Sequence, residues 1–461
     1  MTKNKPTFAF IGKPNNGKSS IISALTFDDR IEVSKEIGTT TIKSRYDYIY
    51  NDELIYSCYD TPGFEKAKTI WNYIKQNKQS NFNINVLQKF IGEYVSHENM
   101  HKDIEILKAI VESEFIVFVI NISENYNQNV IGYELEILKF INKPVLVLFN
   151  KIGDIEYGDN WKKKLYEYEI KHIYEFNPLD GSYSNIQEMF KNLYTIAPIL
   201  EQKQHLDKII NAHRRRYDEN TTKSALEIAR MIAEILLHQA EYKIFGEEAS
   251  QEDKDNALKN YQEEIYSIEK KTKKLVENFW GYYQVKIKDE RAELDSKESV
   301  ESSGLSTKNL IILGGIVGGS FGMSLSALLG GLDFGVITAS GVLVGGGVGK
   351  WQASKLYLDK FVSNKIIHSI NKKNYNVIFI LIKRSLEHLH KLLENGHASR
   401  KDIVIDKDNS KWKFNENWEF SKSELKNISE ISKEIVDDKN IDSNLDKLSN
   451  ILKIIIQKEI K

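Results

Sequence analysis

The chain has a single cysteine, Cys58, in 461 residues. That excludes a disulfide framework and any zinc site built on several cysteines. Proline is also scarce: six residues, against ordinary usage of about 5%, a shortage that favours long helices. Neither sign of charge dominates. Sixty-four Lys+Arg against 65 Asp+Glu leave a net charge of −1, which excludes coating of nucleic acid through overall charge and leaves only a local basic patch open. The start, Met1-Thr2-Lys3-Asn4-Lys5-Pro6, lacks an apolar run long enough for a secretory signal, so a cytoplasmic chain is expected. The length exceeds one ordinary domain and implies two or three.

Glycine is unevenly spread. Of 26 glycines, 13 fall between Asn309 and Gly349, a 41-residue stretch whose one charge is Asp333. Gly314, Gly318 and Gly322 are spaced by four, and so are Gly341, Gly345 and Gly349. In a water-exposed helix each glycine costs about 1 kcal/mol against alanine, whereas helices packed backbone to backbone tolerate small residues. The segment is expected to be a helical hairpin turning at Asp333. Its second arm, 334–349, is shorter than the roughly 20 residues of a bilayer span. The hairpin therefore spans obliquely, enters one leaflet, or stays buried in a helical bundle. Lys308, Lys350 and Lys355 could face lipid headgroups or simply water.

Short apolar runs alternate with helical patterns over the first two hundred residues. Strands are expected at Thr7–Ile11, Arg45–Tyr50, Leu54–Tyr59, Phe115–Asn121, Val145–Phe149 and Lys171–Phe176. The second and third flank a hairpin turn at Asn51-Asp52. The others are far enough apart for intervening helices, which implies a mainly parallel six-stranded sheet covered on both faces, closed by a helix at Ile186–Leu200. Beyond residue 200 the pattern becomes long and helical. Residues 201–308 are charged and helical and end in the polar, serine-rich Asp295–Lys308; residues 309–349 are the glycine-rich segment, and 350–461 form a further helical region starting with Lys350–Glu394.

Gly12-Lys13-Pro14-Asn15-Asn16-Gly17-Lys18-Ser19 follows an apolar strand and opens the helix expected at Lys18–Leu25. The spacing is that of a phosphate loop, whose backbone N–H groups ring a phosphate at a helix N-terminus. Lys18 would bridge β- and γ-phosphates and Ser19 would ligate Mg²⁺, with Ser20 beside it. Thr39 and Thr40, in Gly38-Thr39-Thr40-Thr41, stand where a threonine joins Mg²⁺ once a γ-phosphate is present. Asp60, in Asp60-Thr61-Pro62-Gly63, would hold Mg²⁺ through water while the Gly63 N–H senses the γ-phosphate. Asn150-Lys151, after the fifth strand, occupy the place of a base-reading motif.

These motifs resemble the Era and TrmE branch of the translation-factor GTPases over about residues 5–200. The resemblance implies a Ras-like domain that binds GTP or GDP and hydrolyses GTP. In much of that branch the residue after Asp-x-x-Gly is hydrophobic, here Phe64, so water must be positioned from elsewhere. In TrmE-like members the asparagine matching Asn15 helps to hold K⁺; the alternative here is an asparagine capping its own turn. Two departures bear on the base: Asn150-Lys151-Ile152-Gly153 has glycine where the carboxylate belongs, with Asp154 one position late, and Phe176-Asn177-Pro178 replaces Ser-Ala-Lys. The layout further resembles bacterial proteins that join an Era-like GTPase to a helical domain of unknown function with a glycine-rich apolar stretch. Tyr133-Glu134-Leu135-Glu136-Ile137-Leu138-Lys139 belongs to that matching text.

His97-Glu98-Asn99-Met100-His101 formally matches the zinc-protease pattern with both histidines on one helix face. No third ligand is identifiable, and the segment reads as a solvated helix near the switch. His213-Arg214-Arg215-Arg216 reads as a solvated helix face, with a contact to phosphate, lipid or RNA as the alternative, and Trp280, Trp351, Trp412 and Trp418 read as core or interface anchors. The function expected is a GTP-driven switch whose helical domain hides or releases the hairpin to a membrane, with homo-oligomers as one route. The competing readings are a soluble Era-like GTPase acting on RNA or the ribosome, and a nucleotide-regulated oligomeric scaffold. Nucleic acid is the less expected partner, because neither a GxxG loop in a basic setting nor a basic C-terminal domain is present.

Overall fold

The computed structural model describes residues 5–31, 43–77, 83–126, 128–154, 156–244, 250–284, 286–289, 357–362, 365–370, 377–397, 402–405 and 421–460. The N-terminal half is built on six strands: β1 (Thr7–Ile11), β2 (Ser44–Tyr50), β3 (Glu53–Asp60), β4 (Phe115–Asn121), β5 (Val145–Asn150) and β6 (Ile173–Glu175). They lie in the order β2-β3-β1-β4-β5-β6. Every pair is parallel except β2–β3, joined by the expected turn: Asn51 and Asp52 both have positive φ, 50° and 59°, the hairpin geometry that asparagine and aspartate tolerate.

Side-chain alternation divides the sheet between two cores. Phe8 and Phe10 of β1, Phe115, Val117 and Val119 of β4, and Leu146 and Leu148 of β5 point into one. Their neighbours Ala9, Ile11, Ile116, Phe118, Ile120, Val147 and Phe149 point into the other. The second core is covered by α2 (Ala67–Asn77), α3 (Asn83–Tyr94), α4 (His101–Glu112), α5 (Gln128–Ile141) and α6 (Gly158–Glu167). At the end of α4 the Lys143 ammonium donates to the Ile110, Val111 and Ser113 carbonyls at 2.8, 2.9 and 2.5 Å, satisfying carbonyls that a helix terminus leaves unpaired.

The first core does not stop at residue 200. It begins with α1 (Lys18–Thr26) and α7 (Tyr183–Ile196) and continues through α8 (Leu200–Leu237), α9 (Gln251–Phe279), α10 (Val377–Glu394), α11 (Lys422–Val436) and α12 (Ile441–Ile460). Phe8 and Leu452 thus belong to one hydrophobic cluster. The 38-residue α8, about 57 Å long at 1.5 Å per residue, is its shared wall.

The structure departs from the sequence pattern in two places. The helix expected at Ile186–Leu200 is two: α7 stops at Ile196, ahead of Pro198, and α8 starts at Leu200, as the preference of pre-proline residues for extended backbone explains. Within Lys350–Glu394 only Val377–Glu394 is helical among the described residues; Tyr357–Val362 (β9) and Lys365–Ile370 (β10) pair with each other and with β7 (Gln239–Lys243) in an antiparallel sheet, and Ile287–Asp289 (β8) pairs with Ile403–Ile405 (β11). The β7–β10 and β8–β11 partners lie more than a hundred residues apart, while β9 and β10 are neighbours in the chain. The glycine-rich segment 309–349, with the hairpin read there, lies outside the described residues. Among those described, no helix is long and apolar enough to cross a membrane.

Between α9 and α10 the buried Glu269 accepts two hydrogen bonds from Arg384, at 3.0 and 2.9 Å, and pairs with Lys273 at 2.6 Å. Breaking a buried pair from one side strands the other charge, at about 3–5 kcal/mol. At about 2.1 cal/mol/K for each of 461 residues, Glu269→Leu is therefore expected to lower the thermal midpoint of the full chain by roughly 3–5 °C. An unchanged midpoint would show that the pair adds nothing to stability.

Candidate nucleotide site

The loop after β1 turns where its residue types allow. Gly12, Asn15 and Gly17 have positive φ, at 146°, 63° and 89°, a region open to glycine and tolerated by asparagine. Space restricts it as tightly. A Cβ on Gly12 would lie 2.3 Å from the Val119 carbonyl oxygen, and one on Gly17 would lie 2.2 Å from Asn150 Nδ2. Asn16 donates from Nδ2 to Val119 O at 2.7 Å, and Asn150 donates from Nδ2 to Asn16 O at 3.0 Å. The ends of β4 and β5 thus clamp the loop. Pro14 and Asn15 are exposed at its crest, and the Asn15 side chain makes no hydrogen bond among the described residues.

Lys18, the first residue of α1, is buried and donates to the carbonyls of Gly12 and Lys13, both at 3.0 Å. Burial lowers its ammonium below the ordinary lysine value, opposed by the charges of Asp60 and Glu134. Ser19 and Ser20 follow on the first turn of α1 and are half-buried. Ser19 Oγ donates to Asp60 Oδ2 at 2.5 Å. The other carboxylate oxygen, Asp60 Oδ1, is buried without a hydrogen-bond partner. Burial raises the Asp60 pKa against the pull of Lys18 and Ser19. A hydroxyl and an under-coordinated carboxylate oxygen, side by side near a lysine, are an oxygen donor set that suits Mg²⁺.

Downstream of Asp60, Thr61 donates from its hydroxyl to Phe10 O at 2.6 Å. Gly63 lies against the phosphate loop, where an added Cβ would be 2.5 Å from Pro14 Cδ. That approach puts the Gly63 backbone where it can read an occupant of the loop. Phe64 instead packs beside the second core. Thr39 and Thr40 lie outside the described residues.

On the base side, Lys151, Ile152, Gly153 and Asp154 are exposed. The Gly153 N–H donates to Ser123 Oγ at 2.7 Å, and Lys151 pairs with Glu156 at 3.2 Å. Asn150 is brought into the site and ties the base loop to the phosphate loop. Asp154 stands exposed at the rim.

Two of the sequence readings need correction. His97 and His101 do not share a helix face: His97 has φ −91° and ψ 107°, ahead of the 3₁₀ turn Glu98–Met100, and His101 opens α4. The basic run after residue 212 is not one solvated face, for His213 is fully buried and Arg216 lies over the rings of Phe27 and Tyr48, 4.7 and 5.6 Å from their centres. Arg214 and Arg215 alone are exposed.

Sequence reasoning also passed over two buried carboxyls beside the site. Asp103 of α4 accepts from the backbone N–H groups of Glu65 and Lys66 at 3.1 and 3.0 Å, capping the start of α2 just after Gly63. Glu134 of α5 is 2% exposed; burial raises its pKa to about 7, against Lys13 and Lys18 and with a smaller push from Asp103. The available signal was an acidic residue at an apolar-face position, Asp103 beside Ile104 and Ile106, and Glu134 beside Leu135 and Ile137.

Two family models match this chain. The "50S ribosome-binding GTPase" family matches residues 7–151, and the "Domain of unknown function (DUF3482)" family matches residues 162–446. GTPase Der of Lactococcus lactis subsp. cremoris (strain SK11) is 26% identical over 172 residues, 37% of this chain and 33% of its own. GTPase Der of Pseudomonas putida (strain GB-1) is 24% identical over 221 residues, 44% and 39% of the two chains. The chain thus spans about a third of the length of these curated relatives. The crystal structure of Aquifex aeolicus Era bound to GDP·AlF4⁻ covers 60% of this chain and 89% of its own at 17% identity and a TM-score of 0.29. That of Era with MgGDPNP and part of 16S ribosomal RNA has the same coverages and identity, with a TM-score of 0.30. The Ras-like reading of the first domain rests on the strand order and on the loop geometry above.

Glu134 generates a pH prediction. Below its unfolded value of 4.5 the carboxyl is protonated in both states and costs nothing. As pH rises through 7 the folded chain must ionise a buried group, and the difference reaches about 3 kcal/mol. Glu134→Gln is expected to match the unsubstituted protein near pH 4.5 and to exceed its stability increasingly up to pH 8. Parallel stability–pH curves from denaturant titration would contradict this.

Proposed function

Because the chain belongs to the family defined by the domain of unknown function DUF3482, a name that assigns no activity, we propose its activity from the nucleotide site: it binds GTP, hydrolyses it to GDP and phosphate, and uses the cycle as a switch. One observation carries the reading. Ser19 and Asp60 stand 2.5 Å apart at the mouth of the phosphate loop, with Asp60 Oδ1 buried and unpartnered. Ser19 and Asp60, with Thr40, would hold Mg²⁺, which when bound offsets charge on the β- and γ-phosphate oxygens. The loop N–H groups at the start of α1 cradle the β-phosphate, and Lys18 exchanges its two carbonyl partners for phosphate oxygens. Gly63 offers its N–H toward the γ-phosphate. Attack of water on the γ-phosphorus breaks its bond to the bridging oxygen and leaves GDP. Phe64 has no polar group to orient that water, so the task falls to backbone groups and to Asn15 with K⁺.

Guanine is the proposed base, held beside Asn150, Lys151 and Asp154. The 41-residue segment 309–349, with one charge and glycines every fourth position, is the proposed output element, and the membrane surface its proposed partner, with self-association as the means of concentrating it there. The description of the family matched by residues 7–151 favours a second reading, action on the large ribosomal subunit.

Lys18→Ala is expected to weaken GTP binding roughly 100-fold, about 3 kcal/mol; retained affinity would remove the phosphate-loop reading. Turnover should be faster in KCl than in NaCl, with the difference lost in Asn15→Ala, and equal rates would exclude K⁺. Flotation with liposomes that depends on nucleotide, and is altered by Gly318→Leu with Gly345→Leu, is the expected membrane result. Nucleotide-dependent co-sedimentation with ribosomal subunits and no flotation would select the second reading.

A further inference from the structure

The nucleotide site has walls of its own domain at the front and a piece of the helical region behind. The chain leaves α10 through the turn Leu393–His397, which makes contact with two separate parts of the N-terminal domain. One is the loop after β6. There the Gly181 N–H donates to Leu393 O at 3.1 Å, and the Tyr217 hydroxyl of α8 donates to Gly181 O at 2.6 Å. Gly181 and Gly396 leave no room in this contact. A Cβ on Gly181 would lie 2.5 Å from Leu393 O, and one on Gly396 would lie 2.7 Å from Pro178 O and 2.8 Å from Leu179 C. Backbone therefore presses on backbone across Asn177–Gly181. That loop is tied to β5 by the Phe176 N–H on Phe149 O at 2.9 Å, one residue before Asn150. Ligands of open α/β sheets bind at the carboxyl ends of the strands, so this loop borders the base.

The other part is the end of α1. Ser23 Oγ donates to His397 O at 3.0 Å, and the His397 ring stands 5.1 Å from that of Phe27, edge to face. Phe27 closes α1 in a left-handed conformation and is enclosed by Tyr48, His213, Tyr217 and Arg216. Behind it, a Cβ on Gly281 would be 2.4 Å from Phe27 O, and His397 Nε2–H donates to Trp280 O at 2.6 Å. Burial keeps His397 neutral, its pKa lowered to about 4, so this contact works by shape and hydrogen bonding.

We propose that the turn Leu393–His397, seated on the far end of α1, is a positioning element of the nucleotide site: it holds the loop Asn177–Gly181 in the arrangement that grips the nucleotide's base. The inference rests on the nucleotide reading above and extends it. The helical region then completes the site, and docking of α10 and binding of the nucleoside strengthen each other by the same factor. The phosphate loop is clamped by the ends of β4 and β5 and does not touch this turn, so phosphate binding alone is independent of it.

The experiment uses the full chain, with ribose-labelled fluorescent GDP as probe and inorganic tripolyphosphate as a competitor that engages the phosphate loop without a base. Tyr217→Phe, which loses one hydroxyl, should raise the GDP dissociation rate several-fold, and Gly396→Val should raise it at least 10-fold. Tripolyphosphate affinity should be unchanged in both. His397→Phe should keep the slow dissociation better than His397→Ala. Unchanged GDP dissociation in the folded Tyr217→Phe and His397→Ala proteins would overturn the proposal. So would parallel weakening of GDP and tripolyphosphate, which is what a merely structural role produces. If Gly396→Val does not fold, the other variants decide. Failure of the unsubstituted chain to bind GDP would instead overturn the nucleotide reading itself.

Discussion

The nucleotide site depends on backbone approaching its neighbours more closely than any Cβ would allow. Three glycines make this possible, each toward a different neighbour: Gly12 against β4, Gly17 against Asn150, and Gly63 against Pro14. A phosphate loop must turn its N–H groups inward and leave them unpaired for the ligand, which is costly in a folded protein unless the surrounding carbonyls and amides are otherwise satisfied. Here the Asn16 and Asn150 side chains fill that need, one bonding Val119 O and the other Asn16 O. Each anchors the loop from outside and so leaves the inner N–H groups available. The second asparagine of Pro14-Asn15-Asn16 is a structural strut, while the first is turned out to solvent.

The same economy of space joins the two halves of the chain. One face of β1, β4 and β5 packs into a core that runs without interruption into α8 to α12. A helical region attached in this way is not a module on a tether. It shares buried apolar surface with the GTPase domain, and at about 25 cal/mol for each Å² removed from water separation would expose both partners at once. Phe27 stands at the junction, between α1, which carries Lys18 and Ser19, and the buried aromatic and imidazole rings of the helical region.

Much of the first half was legible because its signals are local. Short apolar runs at Thr7–Ile11 and Phe115–Asn121 marked both strands to the residue, and Asn51-Asp52 marked its hairpin. The phosphate loop and Asp60 came together as their spacing implies. The small sheet of β7, β9 and β10 was not legible: β7 finds β10 only across more than a hundred residues, and the β9–β10 pair was read as part of one helical stretch. His213 looked like part of a basic patch because sequence proximity to three arginines says nothing about helix face; on α8 it turns inward, stacked 4.4 Å from Tyr48 and bonded to the Tyr56 hydroxyl at 3.1 Å. Asp103 and Glu134 escaped notice for a related reason. A buried carboxyl is read from the sequence as an imperfection in an apolar face until the fold shows what it faces, in one case two backbone amides after Gly63, in the other Lys13 and Lys18.

These placements bear on how a site without a polar residue at position 64 responds to its ligand. Thr39 and Thr40 lie between two anchored points: Ile31, buried in the shared core, and Lys43, paired with Glu112 at 2.6 Å. On the other side, the backbone after Gly63 is held by Asp103 through two amides. Both segments that would sense a γ-phosphate are thus tethered at their ends, one to the core shared with the helical region and the other to α4. Filling the site alters the balance of charge around Lys18, which now answers to Asp60 and Glu134. In the structure Lys18 is held by the carbonyls of Gly12 and Lys13. Gly63 rests directly on the adjoining Pro14, so the shortest physical route from phosphate to α2 runs through that contact, with no glutamine required along it.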